Sequence, residues 1–190
     1  PDAGMTRAMI VTVLYRVATD LGMDMNAVNS LPFKDTPKGA WYCDALCWAY
    51  NKGIAKGFSG EVFAPDSTVT REQITLFLSR FAAFSGESVT PRGDIGIFTD
   101  VYALSNESRN AILWAVGEGI LYGYSDGSFR PKANATRAHF AVMLQRWLDE
   151  NKCTEHIFGL KEVTLKPTCT ENGRYEQVCS VCGYKQIGVI

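Results

Sequence analysis

A 24-residue pattern recurs in this chain. Residues 48–71, WAYNKGIAKGFSGEVFAPDSTVTR, align without a gap to residues 114–137, WAVGEGILYGYSDGSFRPKANATR, at an offset of 66. Trp48, Gly53, Gly57, Phe63, Pro65 and Arg71 recur as Trp114, Gly119, Gly123, Phe129, Pro131 and Arg137, and Phe33 and Asp35 recur as Phe98 and Asp100 at an offset of 65. Pro1, Thr6 and Arg7 keep the spacing of Pro65, Thr70 and Arg71, so the sequence opens partway through a further copy. A period of this length makes each copy one supersecondary unit, unable to bury its apolar face until it packs on its neighbours.

Each copy ends in a helix. Counted from Thr6, Thr70 and Thr136, apolar residues fall at +4, +7, +8, +11 and +12 in all three copies, which is a one-sided stripe of helical period. The threonines stand at the N-cap, and Thr70 with Gln73 has capping-box spacing. Met9 and His139 hold the same place in the other copies, so those boxes are expected to be incomplete. A shorter helix is predicted at roughly 40–52 and 106–118, each followed by a glycine, Gly53 or Gly119, suited to a left-handed C-cap. Between the helices, GFSGEVFAPDS and GYSDGSFRPKAN read as turn-rich loops that face outward, each containing one buried-looking Phe and a Pro. The domain reading is residues 1–30 as the second half of repeat 1, 31–84 as repeat 2, 85–97 as a linker, 98–150 as repeat 3, and 151–190 as a small Cys/His-rich module.

Charge narrows the partners. With 19 Lys+Arg against 20 Asp+Glu the net charge is −1, which gives no default affinity for nucleic acid or an anionic membrane. No apolar run approaches the ~18 residues of a membrane span, and residues 1–15 have no signal-peptide pattern, so any export signal is expected upstream. The chain has no G-x-S-x-G, H-E-x-x-H, P-loop or G-x-G-x-x-G motif, and its acids form no evident acid–base pair. The reading is non-catalytic.

F-x-D, then W-A-x3-G-I, then G-Y-S-D-G-S-F-R-P, then T-R with a helix behind it, resembles the S-layer homology (SLH) domain of bacterial cell-surface proteins over residues 1 to about 150. The resemblance implies a mainly α fold, a pseudo-threefold helical bundle with one repeat truncated. It also implies an extracellular place in the cell wall or S-layer. The partner implied is an anionic secondary cell-wall polysaccharide, bearing pyruvate ketals in many relatives, bound between adjacent repeats. The family's T-R-A-E-like motif maps onto Thr6-Arg7-Ala8-Met9, Thr70-Arg71-Glu72-Gln73 and Thr136-Arg137-Ala138-His139, none of which ends in the family's acid.

On this resemblance Arg7, Arg71 and Arg137, with Thr70 and Thr136, would meet the glycan carboxylate at helix N-termini. Trp41 and Tyr124 would stack on sugar rings. Asp126 completes the implied set, and copy two has Gly60 in its place. If the arginines only bind glycan, Arg71→Ala and Arg137→Ala remove wall binding at unchanged thermal stability. The residue-level alternative is that they form ion pairs between repeats, with Asp35 or Asp100 as partners. Trp48 and Trp114 read as core, Cys43 and Cys47 as small buried hydrophobes, and Arg16, Arg80 and Arg146 at +10 as structural. A groove that needs the first half of repeat 1 requires that segment, or another S-layer subunit, as a partner. Alternative functions are S-layer lattice or protein–protein assembly, and a non-catalytic remnant of a larger surface enzyme.

Cys153, Cys169, Cys179 and Cys182 crowd the last 38 residues with His156. Cys179-Ser-Val-Cys182-Gly is a zinc-knuckle-like turn, and KEVTL and YEQVC suggest a β-hairpin with ENG between them. His156, Cys169, Cys179 and Cys182 make one four-ligand set for a structural zinc, with Cys153 as an alternative ligand; a disulfide-stapled hairpin is the competing reading. The tail also resembles zinc-ribbon-like repeats found at the ends of some bacterial surface proteins.

Overall fold

A computed structural model describes residues 3–28, 30–102, 104–150, 162–165, 174–178 and 185–189. Two compact units divide between Arg146 and Trp147.

The first unit is built on three helices of equal length, α1 (Arg7–Asp20), α3 (Arg71–Phe84) and α5 (Arg137–Glu150), the last turn of α5 belonging to the second unit. Two shorter helices stand between them, α2 (Cys43–Asn51) and α4 (Asn106–Gly117). The apolar stripe explains the packing. Ile10, Leu14, Ile74, Leu78 and Phe81 are fully buried, and α1 meets α3. Helix α2 lies on α1 and α4 lies on α3, so each short helix covers the long helix of the preceding repeat. Trp48 and Trp114, on those short helices, are core residues, as their spacing predicted.

The segments just before the three long helices form a closed ring. Met5 N–H donates to Ala135 O, Ala135 N–H to Val69 O, and Val69 N–H to Met5 O, at 2.9, 2.8 and 2.9 Å. Arg7, Arg71 and Arg137 N–H groups reinforce it by donating to Ser67 O, Ala133 O and Ala3 O. A helix's first amides have no intrahelical acceptor, and here the neighbouring repeat supplies one.

The caps differ from expectation at one place. Thr6 and Thr70 accept from Met9 and Gln73 amides, and Thr70 with Gln73 forms the full capping box. The box at α5 is also closed: Thr136 Oγ1 accepts from His139 N–H, and His139 Nδ1 accepts from Thr136 N–H at 3.3 Å. A neutral imidazole nitrogen has the lone pair that a glutamine oxygen would present.

The loops between helices turn inward as well as outward, which corrects the sequence expectation. Asp35 accepts from the amides of Phe63 and Ala64, and Asp100 from those of Phe129 and Arg130. Ala64 and Arg130 each sit at φ 58°, a left-handed conformation that costs a non-glycine residue free energy. The carboxylate offsets that cost by holding two amides at the bend. Phe33 and Phe98 lie against Phe63 and Phe129 at 5.5 Å between ring centres. A Cβ on Gly123 would come within 2.5 Å of the Phe98 ring, and one on Gly57 within 3.0 Å of Phe33, which accounts for the recurring glycine.

Among the described residues the second unit contains three strands, β1 (Glu162–Leu165), β2 (Arg174–Val178) and β3 (Lys185–Val189), antiparallel in the order β1-β2-β3. The first two occupy the runs read as a hairpin; the third was not anticipated. A lone two-stranded hairpin is marginal in water, and a third strand gives β2 pairing on both edges. His156, Cys153, Cys169, Cys179 and Cys182, and with them the zinc or disulfide reading, lie outside the described residues.

Candidate functional site

The two T-R arginines with a loop beside them are buried. Arg7 reaches across to the loop of repeat 2, where its Nε donates to Phe63 O at 2.6 Å and a terminal nitrogen to Lys56 O at 2.7 Å. Arg71 repeats this in repeat 3, donating to Phe129 O at 2.8 Å and Tyr122 O at 3.2 Å. The guanidinium planes also lie over aromatic rings, Arg7 on Phe63 and Arg71 on Tyr124 and Phe129, 4.6, 4.8 and 5.0 Å from the ring centres. Burial, with Arg80 adding to it and Asp35 opposing it, pushes the Arg7 pKa down to about 10, so the side chain stays charged at neutral pH. Burial also lowers that of Arg71.

These arginines therefore staple one repeat's helix to the next repeat's loop. Asp35 and Asp100, weighed above as their ion-pair partners, make no direct ion-pair contact with them; they accept from backbone amides and attract the Arg7 and Arg71 charges from farther off. Arg137 differs: it is exposed, and among the described residues its guanidinium has no hydrogen-bond or ion-pair partner.

Two grooves follow the two staples. The first is lined by Arg7, Lys56, Phe58, Gln73, Leu76 and Arg80. Glu107 Oε1 pairs with Lys56 and Arg80, each at 2.8 Å, so one carboxylate offsets part of the charge of three cations. Those two cations in turn hold the Glu107 carboxyl below its ordinary pKa against the desolvation that would raise it. The second groove, about 290 Å³, is lined by Arg71, Tyr122, Tyr124, His139, Val142 and Arg146 among others. Arg146 lies 4.5 Å from the Tyr122 ring centre and donates to Ile120 O at 3.3 Å. Among the described residues no carboxylate pairs with Arg71 or Arg146.

The other residues proposed from sequence scatter. Tyr124 is in the second groove, and Thr70 and Thr136 are capping groups. Asp126 braces its own turn by accepting from Ser128 and pairing with Arg130 at 2.7 Å, contacts that depress its carboxyl pKa. Trp41 is 64% exposed and faces a separate cavity with Phe33, Lys38, Asp44 and Cys43. Cys47 is buried, while Cys43 is half-buried with its thiol on Pro37 O. Sequence reading missed Arg146 and His139 as groove residues. Their recurrence with Arg80 and Gln73 at +10 and +3, positions that flank the neighbouring loop, was the available signal.

Comparison with known proteins sorts these observations. The S-layer homology domain model matches residues 32–75 and 97–141. The chain carries two S-layer homology domains. An amylopullulanase of Thermoanaerobacterium thermosulfurigenes is 30% identical over 80% of this chain, and the surface-layer 125 kDa protein of Lysinibacillus sphaericus is 27% identical over 76%. The cellulosome-anchoring protein of Acetivibrio thermocellus is 26% identical over 87%. The matched regions span only 8%, 12% and 36% of these three relatives. Each SLH match runs from F-x-D through the loop into the next long helix, the same stretch that carries the staple geometry. No helix among the described residues is long and apolar enough to cross a membrane.

His139, which lines the second groove, is expected to make the stability of the fold depend on pH. Burial first, and Arg71 second, lower its pKa below the ordinary value near 6.5. The unfolded chain then binds more protons than the folded one in mild acid, so His139 contributes stability above that value and loses it as the pH falls. The thermal midpoint of the parent therefore drops more between pH 7.5 and 5 than that of His139→Gln. Equal drops in a pair of melting series would remove this role.

Proposed function

We propose that residues 1–150 are a non-catalytic anchoring module that holds a surface protein to an anionic cell-wall polysaccharide outside the cell. The observation that carries this reading is that, among the described residues, no carboxylate forms an ion pair with the cations of the second groove, whereas Lys56 and Arg80 of the first are paired with Glu107. In the first, Lys56 and Arg80 share the Glu107 carboxylate; in the second, Arg71 and Arg146 line a concavity with two tyrosines. A carboxylate, such as a pyruvate ketal, is matched by the guanidinium of Arg146 above the already engaged Arg71, with Tyr122 offering a 60% exposed ring to a sugar face. The names of the relatives, a surface-layer protein and a cellulosome-anchoring protein, support the anchoring role, and the amylopullulanase shows such a segment carried by an enzyme. A structural zinc in residues 151–190 remains part of the proposal, held by His156, Cys169, Cys179 and Cys182, with Cys153 as an alternative ligand.

Sedimentation with Gram-positive wall sacculi tests the reading. The protein pellets with intact sacculi and stays in solution after acid stripping of the secondary polysaccharide. Equal pelleting with both preparations would place the receptor elsewhere in the wall, and no pelleting with either would favour lattice assembly.

A further inference from the structure

Repeats 2 and 3 part company on their short helices. Cys43 and Cys47 of α2 stand where α4 has Arg109 and Leu113, so the repeat itself does not call for thiols there. Cys47 is buried, as the sequence reading expects, but Cys43 is half-buried, which corrects the reading of both as small buried hydrophobes. The Cys43 thiol donates to Pro37 O at 3.1 Å. Both cysteines line a cavity of about 690 Å³, together with Lys38, Trp41 and Asp44.

The spacing decides what the pair can do. Residues four apart share a helix face, with about 5–6 Å between their Cβ atoms. A disulfide needs about 3.5–4.5 Å. The intact helix therefore keeps the two thiols from closing on each other, yet leaves them within electrostatic reach: burial first, and Cys43 and Asp44 next, raise the Cys47 pKa. An ion between the sulfurs meets a different requirement. Two thiolate–metal bonds of about 2.3 Å, the length found for zinc, set the sulfurs about 4.6 Å apart in line.

Ligand number then selects the metal. Among the described residues no group of three His, Cys, Asp or Glu side chains could hold an ion, so a closed four-ligand zinc site does not fit α2. Soft thiolates favour Cu(I), a closed-shell ion that is stable with two ligands in line. We propose that Cys43 and Cys47 form a two-thiolate site for a soft monovalent metal ion, Cu(I), in the cavity of repeat 2. Binding breaks two S–H bonds and forms two S–Cu bonds; the protons go to solvent and copper keeps its oxidation state. Asp44 on the cavity lining favours entry of a cation, and Lys38 offsets the single negative charge of the product. Cys47, 6% exposed, holds the ion away from water, while half-buried Cys43 leaves it a path in. The site is separate from both arginine grooves and does not depend on wall binding.

The test is an anaerobic titration of the fully reduced chain with Cu(I), against a chromophoric Cu(I) chelator, for the parent, Cys43→Ser and Cys47→Ala. The cysteines after residue 150 are present in all three proteins, so the difference in uptake reports on α2 alone. The parent is expected to take up one more equivalent of Cu(I) than either variant. If Cys47→Ala does not fold, Cys47→Leu, which copies the residue of repeat 3, takes its place. Equal uptake by the parent and the variants would overturn the proposal, as would a loss in one variant that the other does not share. So would a disulfide between Cys43 and Cys47 recovered from the folded chain.

Discussion

Arg71→Ala is expected to lower the thermal midpoint by about 5–15 °C, while Arg137→Ala leaves it within about 1 °C of the parent. The two residues occupy the same motif position 66 apart, so sequence alone treats them alike. Structure separates them. Removing the Arg71 side chain strands Phe129 O and Tyr122 O at a buried contact and takes away a cation that lies over two rings. Losing charge-assisted hydrogen bonds at an 8% exposed site costs about 2–4 kcal/mol. Arg137, exposed and without a described partner, leaves nothing stranded. These contacts predict that Arg71→Ala, unlike Arg137→Ala, does not keep its stability, so a loss of wall binding in Arg71→Ala would not by itself identify a ligand contact. Thermal melts of both variants followed by circular dichroism decide it; equal midpoints would remove the staple.

Trp48→Ala is the other large effect, about 3–5 kcal/mol of destabilisation, as for other buried aromatics cut to alanine. Trp48 is 0% exposed, its ring meets Tyr15, Phe81 and Phe84 edge-on, and its Nε1–H donates to Asp24 O. The side chain thus joins α2, α1, α3 and the chain after α1, and truncation opens a cavity where four segments meet. Trp41→Ala, at a 64% exposed position, should change stability by less than about 0.5 kcal/mol. Urea unfolding of the pair measures the contrast. A mild Trp48 phenotype would mean the ring is a surface platform after all.

The repeat and its helical stripe were readable because they are periodic, and periodicity survives in one dimension. The buried tryptophans and the C-capping glycines followed from the same pattern. What could not be read was which backbone carbonyl or amide each polar side chain engages. Asp35 and Asp100 carry one charge wherever they sit, and only the fold shows them holding the amides of a left-handed bend rather than an arginine. His139 was read as breaking a capping box because a histidine is not a glutamine; the lone pair on Nδ1 is what the cap uses. The difference between the two grooves rests on Glu107, whose partners Lys56 and Arg80 are 51 and 27 residues away in the chain.

Wall anchoring through the second groove is tested most directly by titrating isolated secondary cell-wall polysaccharide into the parent, Arg146→Gln and Trp41→Ala proteins. Arg146→Gln keeps a donor for Ile120 O and should fold as the parent does. Anchoring at this groove predicts that it binds at least tenfold more weakly, about 1.4 kcal/mol, while Trp41→Ala binds as the parent does. Parental affinity in Arg146→Gln together with a loss in Trp41→Ala would contradict it and move the site to the cavity beside Trp41.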